Sequence, residues 1–427
     1  MSRRGWLVLS VSGALMFVAA FVCLERRSTD LDADNVTPPV TDLVYLEEGW
    51  TAKVLLQLPS EVTAIAAFEE DPRRGRVFIG TGGRGGVYQA DVDGSEYIHV
   101  ASLITNEVGE LPEHGLCPVN TLAMTDLDHD GTPELLASTC QVLPMSRPCT
   151  FVWSTPEGSK PVLRGLARPD IASSWSHGLG VILNEDGSPK SVVGTYCGHG
   201  ELVEYRLVKG DGHEHFDGLS WNVVGQLPAS GEQTQAADVD GDGKPEVCVA
   251  VGFALGKAAV HIYGDDSSTG TLPLMQVIDE GGRFANVRFL VVTKGVGPTR
   301  DLVAWWSTDH LRSGHVEIIR YRFGPKGLLD RTLIAEGDDH LWPTDGGMTV
   351  AAINENAELE VWFNSVKGDL WRLPIAGEGV PTVVARFGPG LGPLLAIPAR
   401  SGRSARLLAC HGKDVLRLEW TNRRKPM

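Results

Sequence analysis

One strand-like run recurs seven times along this chain. The runs open at Val77-Phe-Ile-Gly, Glu134-Leu-Leu-Ala, Ser191-Val-Val-Gly, Glu246-Val-Cys-Val, Asp301-Leu-Val-Ala, Glu360-Val-Trp-Phe and Arg406-Leu-Leu-Ala. Successive openings lie about 55 to 59 residues apart, and about 46 for the last interval. Such short, continuously apolar runs suit strands covered on both faces. A fixed period of this size marks a repeat architecture, in which each unit buries its faces only against its neighbours.

The flanking segments complete the unit. An apolar strand precedes each run, at 62–68, 120–125, 178–183, 234–239, 287–292, 348–353 and 393–397. A third strand follows, opening at Gly86, Thr150, Glu201, Ala259, His315, Asp369 and Asp414. Six units then carry a more amphipathic fourth strand, and the seventh has none before the chain ends. A spare strand, Thr51–Leu58, stands ahead of unit one. Four antiparallel strands repeated seven times predict an all-β fold, a seven-bladed β-propeller over 42–427, with the spare strand completing the last blade. A set of separate sandwiches is the alternative. No long amphipathic helix interrupts the pattern.

Two of the connections between first and second strands are acidic. One reads Asp126-Leu-Asp128-His-Asp130-Gly131-Thr132-Pro-Glu134, the other Asp238-Val-Asp240-Gly-Asp242-Gly243-Lys244-Pro-Glu246. Carboxylates at positions 1, 3, 5 and 9, with Gly at 6, let one turn wrap a hard cation with oxygen ligands. An EF-hand is excluded, because position 12 is Ala137 or Val249 and strands, not helices, flank the loops. A metal-free Asx turn is the alternative, set against the mutual repulsion of four close acids.

These two segments resemble the FG-GAP or VCBS repeat family, whose propeller repeats also occur in integrin α-subunit head domains. The resemblance covers two of seven units well. Unit three (Asn184 to Lys190) and unit six (Asn354 to Ala357) are worn versions, and the other three show no ligand set. It implies Ca2+ held by Asp126, Asp128, Asp130 and Glu134 with the Thr132 carbonyl. In the second loop it implies Asp238, Asp240, Asp242 and Glu246 with the Lys244 carbonyl. The implied role is structural, pinning the turn between the first two strands.

Residues 1–27 read as a signal anchor or signal peptide. Trp6 to Leu24 is almost wholly apolar, flanked by Arg3-Arg4 and Arg26-Arg27, and long enough to span a bilayer. Cleavage after Ala20 is the other reading. Both place the remainder outside the cytoplasm, anchored through residues 6–24 or secreted. Residues 28–41 read as a linker. The net charge of −16 argues against a nucleic-acid partner. A monomer is expected.

The loops on the opposite face collect different chemistry. His114, His177 and His199 each stand beside Gly, with Arg84, Glu201, Glu232 and Arg283 on the same face. Imidazoles, guanidinium groups and carboxylates around one channel mouth can bind a polyanion, hold a transition metal, or abstract a proton from a sugar acid. The bland reading is solvated loop histidines. Cys117, Cys140, Cys149 and Cys197 share this face and allow two disulfides in any of three pairings, or a metal site. Cys248 and Cys410 read as buried thiols. Trp305, Trp306 and Trp362 read as blade packing. The preferred function is a non-catalytic module binding a protein or carbohydrate ligand through this face. A polysaccharide lyase-like enzyme is the alternative, and a purely structural envelope protein a weaker one.

Overall fold

The structure, a computed structural model, describes residues 43–68, 75–82, 85–92, 96–102, 119–139, 149–167, 175–184, 186, 188–197, 200–209, 216–228, 230–252, 258–264, 270–281, 285–294, 300–307, 315–338, 343–353, 358–376, 380–399 and 405–421. Within these, the side chains of 175–177, 197, 209, 216–217, 280, 286, 288–294 and 343–346 are not described.

The fold is a seven-bladed β-propeller with no helix among the described residues. The chain enters through β1 (Tyr45–Leu46) and β2 (Trp50–Gln57). Blade one is β3 (Val62–Ala67), β4 (Arg76–Thr81), β5 (Gly86–Asp91) and β6 (Tyr97–Ser102). Blade two is β7 (Val119–Thr125), β8 (Glu134–Thr139), β9 (Thr150–Ser154) and β10 (Val162–Ala167). Blade three is β11 (Trp175–Leu183), β12 (Pro189–Cys197), β13 (Glu201–Lys209) and β14 (Phe216–Gln226). Blade four is β15 (Ser230–Ala237), β16 (Glu246–Gly252), β17 (Ala259–Tyr263) and β18 (Leu274–Glu280). Blade five is β19 (Asn286–Lys294), β20 (Arg300–Ser307), β21 (Val316–Gly324) and β22 (Gly327–Gly337). Blade six is β23 (Pro343–Ala351), β24 (Glu360–Ser365), β25 (Asp369–Pro374) and β26 (Thr382–Arg386). Blade seven is β27 (Leu391–Ile397), β28 (Arg406–His411) and β29 (Asp414–Trp420), completed by β2.

The spare strand therefore closes the ring as its sequence suggests. β2 runs antiparallel to β29, with Trp50 opposite Trp420 and Gln57 opposite Asp414. The first strand of each blade touches the first strand of the next, and β27 returns to β3. Closure leaves only the outermost strand of each blade as an edge.

Burial explains why the second strands announce themselves in sequence. Every residue of β8, β16 and β24 is buried, since each lies mid-blade with a neighbouring blade on either face. The core is accordingly a ring of layers between blades. One layer joins blades four and five through Cys248, Val260, Leu302 and Tyr321. Another joins blades seven and one through Leu408, Val415, Val77 and Ile79. Trp305, Trp306 and Trp362 are packing residues, as expected. Each fully buried aliphatic or Phe side chain in these layers contributes about 1.5–3 kcal/mol. Cys248 and Cys410 are free, buried thiols, and burial raises both well above the ordinary thiol range.

Two features were not expected. β1 adds a fifth strand to blade six, pairing Tyr45 with Arg386 and Leu46 with Ala385. Just beyond it, Glu47 meets Arg372 of β25 at 2.9 Å. β1 and β2 thus grip two adjacent blades. In addition, all seven first strands shift register near their N-terminal ends. The residues skipped include Thr63, Asn120, His177, Glu232 and Phe289 in blades one to five. The sixth and seventh shifts fall between Pro343 and Met348 and between Leu391 and Leu394. One residue is skipped in each of blades one to five, four in blade six and two in blade seven, and such bulges locally re-aim the strand.

Candidate metal centre

Both acidic loops join the first and second strands of a blade. Loop one links β7 to β8 in blade two, and loop two links β15 to β16 in blade four. The turn is built by the carboxylates themselves. Gly131 N–H donates to Asp126 Oδ2 at 2.9 Å, and Gly243 N–H to Asp238 Oδ2 at 3.2 Å. Thr132 N–H donates to Asp130 Oδ1 and Lys244 N–H to Asp242 Oδ1, each at 2.7 Å. Position 6 needs glycine for its backbone: Gly131 has φ +82° and Gly243 φ +91°, with open space around each. Position 4 is also left-handed, as His129 (φ 59°) in loop one and Gly241 (φ 81°) in loop two.

The acid at position 9 reaches back under the loop. Glu134 Oε2 accepts from Leu127 N–H at 2.8 Å, and Glu246 Oε2 from Val239 N–H at 2.8 Å. This draws three carboxylates together. One oxygen from each of Asp126, Asp128 and Glu134 falls within 4.8 Å of the others, and Asp238, Asp240 and Glu246 do the same. Asp130 and Asp242, expected as ligands, accept from loop N–H groups, as Asp128 and Asp240 also do. Thr132 and Lys244 take part here through their N–H groups.

Electrostatics make both loops receptive to a cation. Burial, reinforced by Asp128 and Asp126, pushes Glu134 up to about 8. Burial, reinforced by the three loop aspartates, pushes Glu246 up to about 7. Burial also raises Asp126 and Asp240, with neighbouring aspartates adding to it. Asp126 Oδ1 is buried without a hydrogen-bond partner. An orphaned, buried carboxylate oxygen beside two other carboxylates fits a hard divalent ion. Where the ion binds, it supplies the positive charge that lets these groups stay ionised.

The worn loops differ. In blade three, Ser191 takes the place of the position 9 acid, and Asp186 closes on Ser188 N–H at 2.9 Å. Hydrogen bonds from Ser188 hold the Asp186 carboxyl below its usual range. The loop of unit six lies outside the described residues.

On the opposite face, His114 and His199 lie outside the described residues, as do Cys117 and Cys140. His177 is placed by its backbone alone, at the β11 bulge between Ser176 and Gly178. The equivalent bulge residue of blade four is Glu232, which is buried. Gly178 allows the two blades to meet there, since a Cβ would stand 2.6 Å from Thr234 N. His315 is half-exposed, 3.4 Å from Glu336. Cys149 is buried, and its N–H donates to Thr139 Oγ1 at 3.3 Å. The Gly-rich segment after Thr81 is a hairpin connection, as read from sequence.

The bulge ring was invisible in the sequence, because a register shift leaves the apolar pattern almost unchanged. Arg164 was missed for another reason: it lies on the outermost strand of blade two, yet reaches Asp128 Oδ2 at 2.8 Å and Glu134 Oε1 at 3.4 Å.

No protein-family model matches this chain, and no curated protein does. Among solved structures, the computationally designed Ika8 protein is 10% identical, with a TM-score of 0.47, covering 86% of this chain and 99% of its own. A candidate 6-phosphogluconolactonase from Bacteroides uniformis is 13% identical, with a TM-score of 0.47, covering 75% of this chain and 83% of its own. At this distance no function is taken from either.

Proposed function

We propose that the chain is an extracytoplasmic propeller, braced by calcium as the FG-GAP or VCBS resemblance implies, that binds a protein or glycan ligand on the face opposite its acidic loops. The observation that carries the metal reading is the convergence of three carboxylates in each loop, with oxygens within 4.8 Å of one another. The ion's role is structural. It ties the position 1, 3 and 9 acids together and so fixes the turn between two strands of one blade. Residues 6–24 supply the anchor or the export signal. Among the described residues no helix is long and apolar enough to cross a membrane.

The test is thermal unfolding with added calcium or with chelator. A ligand that binds only the folded state raises its stability, by about 2.7 kcal/mol at a hundredfold excess over Kd. An unchanged Tm would remove calcium from this reading. Ligand classes can then be screened with immobilised glycans and with candidate envelope proteins.

A second reading, an enzyme acting on acidic polysaccharides, draws support from one placement. His177 and Glu232 occupy equivalent bulges on adjacent blades, and bulges often re-aim side chains at active sites. A screen for unsaturated products, repeated with His177→Ala, separates this enzyme from a binding module. Turnover that survives the substitution would clear His177 of a catalytic role.

A further inference from the structure

The two acidic loops are alike in sequence but not in surroundings. Their blades share a bulge at the same place in the outermost strand. In blade two, Leu163 pairs with Trp153 and Gly165 with Val152, leaving Arg164 between them. In blade four, Leu274 pairs with Tyr263 and Gln276 with Ile262, leaving Met275 between them. Trp153 and Tyr263 are themselves equivalent, opposite Leu135 and Val247. Arg164 and Met275 therefore occupy the same position in two blades.

Their chemistry is opposed. Arg164 places its guanidinium on Asp128 and Glu134, whose side chains are 3% and 0% exposed. Met275 is uncharged and more than half exposed. Among the described residues, no cationic group pairs with Asp238, Asp240 or Glu246. Acids at or beside the same strand opening elsewhere do have such a group. Asp301 is held by Arg322 at 2.9 and 3.2 Å, and Glu360 lies 3.7 Å from Arg372. Blade seven reverses the signs, with Arg406 on Glu419 at 3.1 Å. Loop two alone combines converging acids with no internal counter-charge among the described residues.

We propose that Arg164 is a resident cation that competes with calcium in loop one, so that the two sites differ in affinity and loop two fills first. The inference rests on the calcium reading above. A divalent ion entering loop one meets a guanidinium already seated on two of its three carboxylates. It must either displace that group or bear its repulsion. The orphaned Oδ1 of Asp126 keeps loop one able to bind, but at a higher calcium concentration. Loop two carries no such competitor among the described residues.

Isothermal titration of the full chain with calcium alone tests this, each loop being isolated by silencing the other. With loop two silenced by Asp238→Asn and Asp240→Asn, Arg164→Met should tighten loop one at least tenfold, whereas Arg164→Lys should leave it weak. With loop one silenced by Asp126→Asn and Asp128→Asn, Met275→Arg should weaken loop two at least tenfold. Circular dichroism and gel filtration confirm the fold of each variant, and the lysine variant controls for lost packing. If calcium binds both loops but Arg164→Met leaves loop one unchanged, the competition fails and the calcium reading stands. If neither loop binds calcium in any variant, both fall together.

Discussion

Trp50 meets Trp362 edge to face, with ring centroids 5.1 Å apart and planes at 66°. One ring belongs to the strand that completes blade seven, the other to the buried middle of blade six. Trp420 packs on Trp50 from the opposite strand at 5.4 Å. Trp50→Ala should therefore cost about 3–5 kcal/mol, read from denaturant unfolding. A loss under about 1 kcal/mol would mean that this cluster does not hold the closure.

The acidic loops make stability depend on pH in a defined direction. Glu134 and Glu246 are raised from 4.5 to about 8 and about 7. Between those values and 4.5 the folded chain keeps protons that the unfolded chain has released. Stability without metal should then fall as pH rises from about 4.5 through about 8 on their account. Calcium requires the ionised form, so its effect on Tm should grow across the same window. Comparing melts with calcium and with chelator at both ends of the window checks this. An equal shift at both ends would take these two acids out of the ligand set.

Glu246→Gln separates the charge from the shape. The amide oxygen still accepts from Val239 N–H, while the buried negative charge is gone. In chelator at about pH 8 the variant should be more stable than the parent by roughly 1 kcal/mol. With calcium it should lose most of the ion's stabilising effect from loop two. Differential scanning calorimetry in both buffers reads both signs, and a variant weaker in chelator would contradict the unpaired-charge account.

Much of the fold was legible because burial on two faces writes an unbroken apolar run, as in Glu246 to Gly252. The missing fourth strand of blade seven and the spare Thr51–Leu58 run also predicted the closure. The β1 strand was not legible, since two residues, Tyr45 and Leu46, carry no pattern. At the site, the carboxylates at positions 1, 3 and 9 converge in both loops as their spacing suggests. The loop's internal bonding was hidden, because spacing alone does not show that Asp128 and Asp130 both accept from loop N–H groups. Arg164 was hidden for a topological reason: it is 30 residues beyond Glu134, on a strand whose alternation reads only as an outer edge.

Gly178→Ala probes the contact between blades three and four. Its Cβ would stand 2.6 Å from the backbone nitrogen of Thr234 and 3.1 Å from Gln233. Backbone cannot rotate away as a side chain can, so the blades must part. The expected cost is about 1–3 kcal/mol, seen as a lower midpoint in urea. A neutral outcome would show that the two first strands slide freely at this end.

The paired grip of β1 and β2 has a mechanical consequence. Tension arriving along the chain at Leu43 meets the short β1 ladder on blade six first, where Val44 N–H and Glu47 N–H are bonded to Arg386 O and Val384 O. The strand that completes the ring lies behind it. Glu47 on Arg372 adds a charged latch at the same place. Load along the chain thus falls on an expendable strap before the closing strand feels any of it, so a pull from the N-terminal side peels β1 before it can unzip the ring.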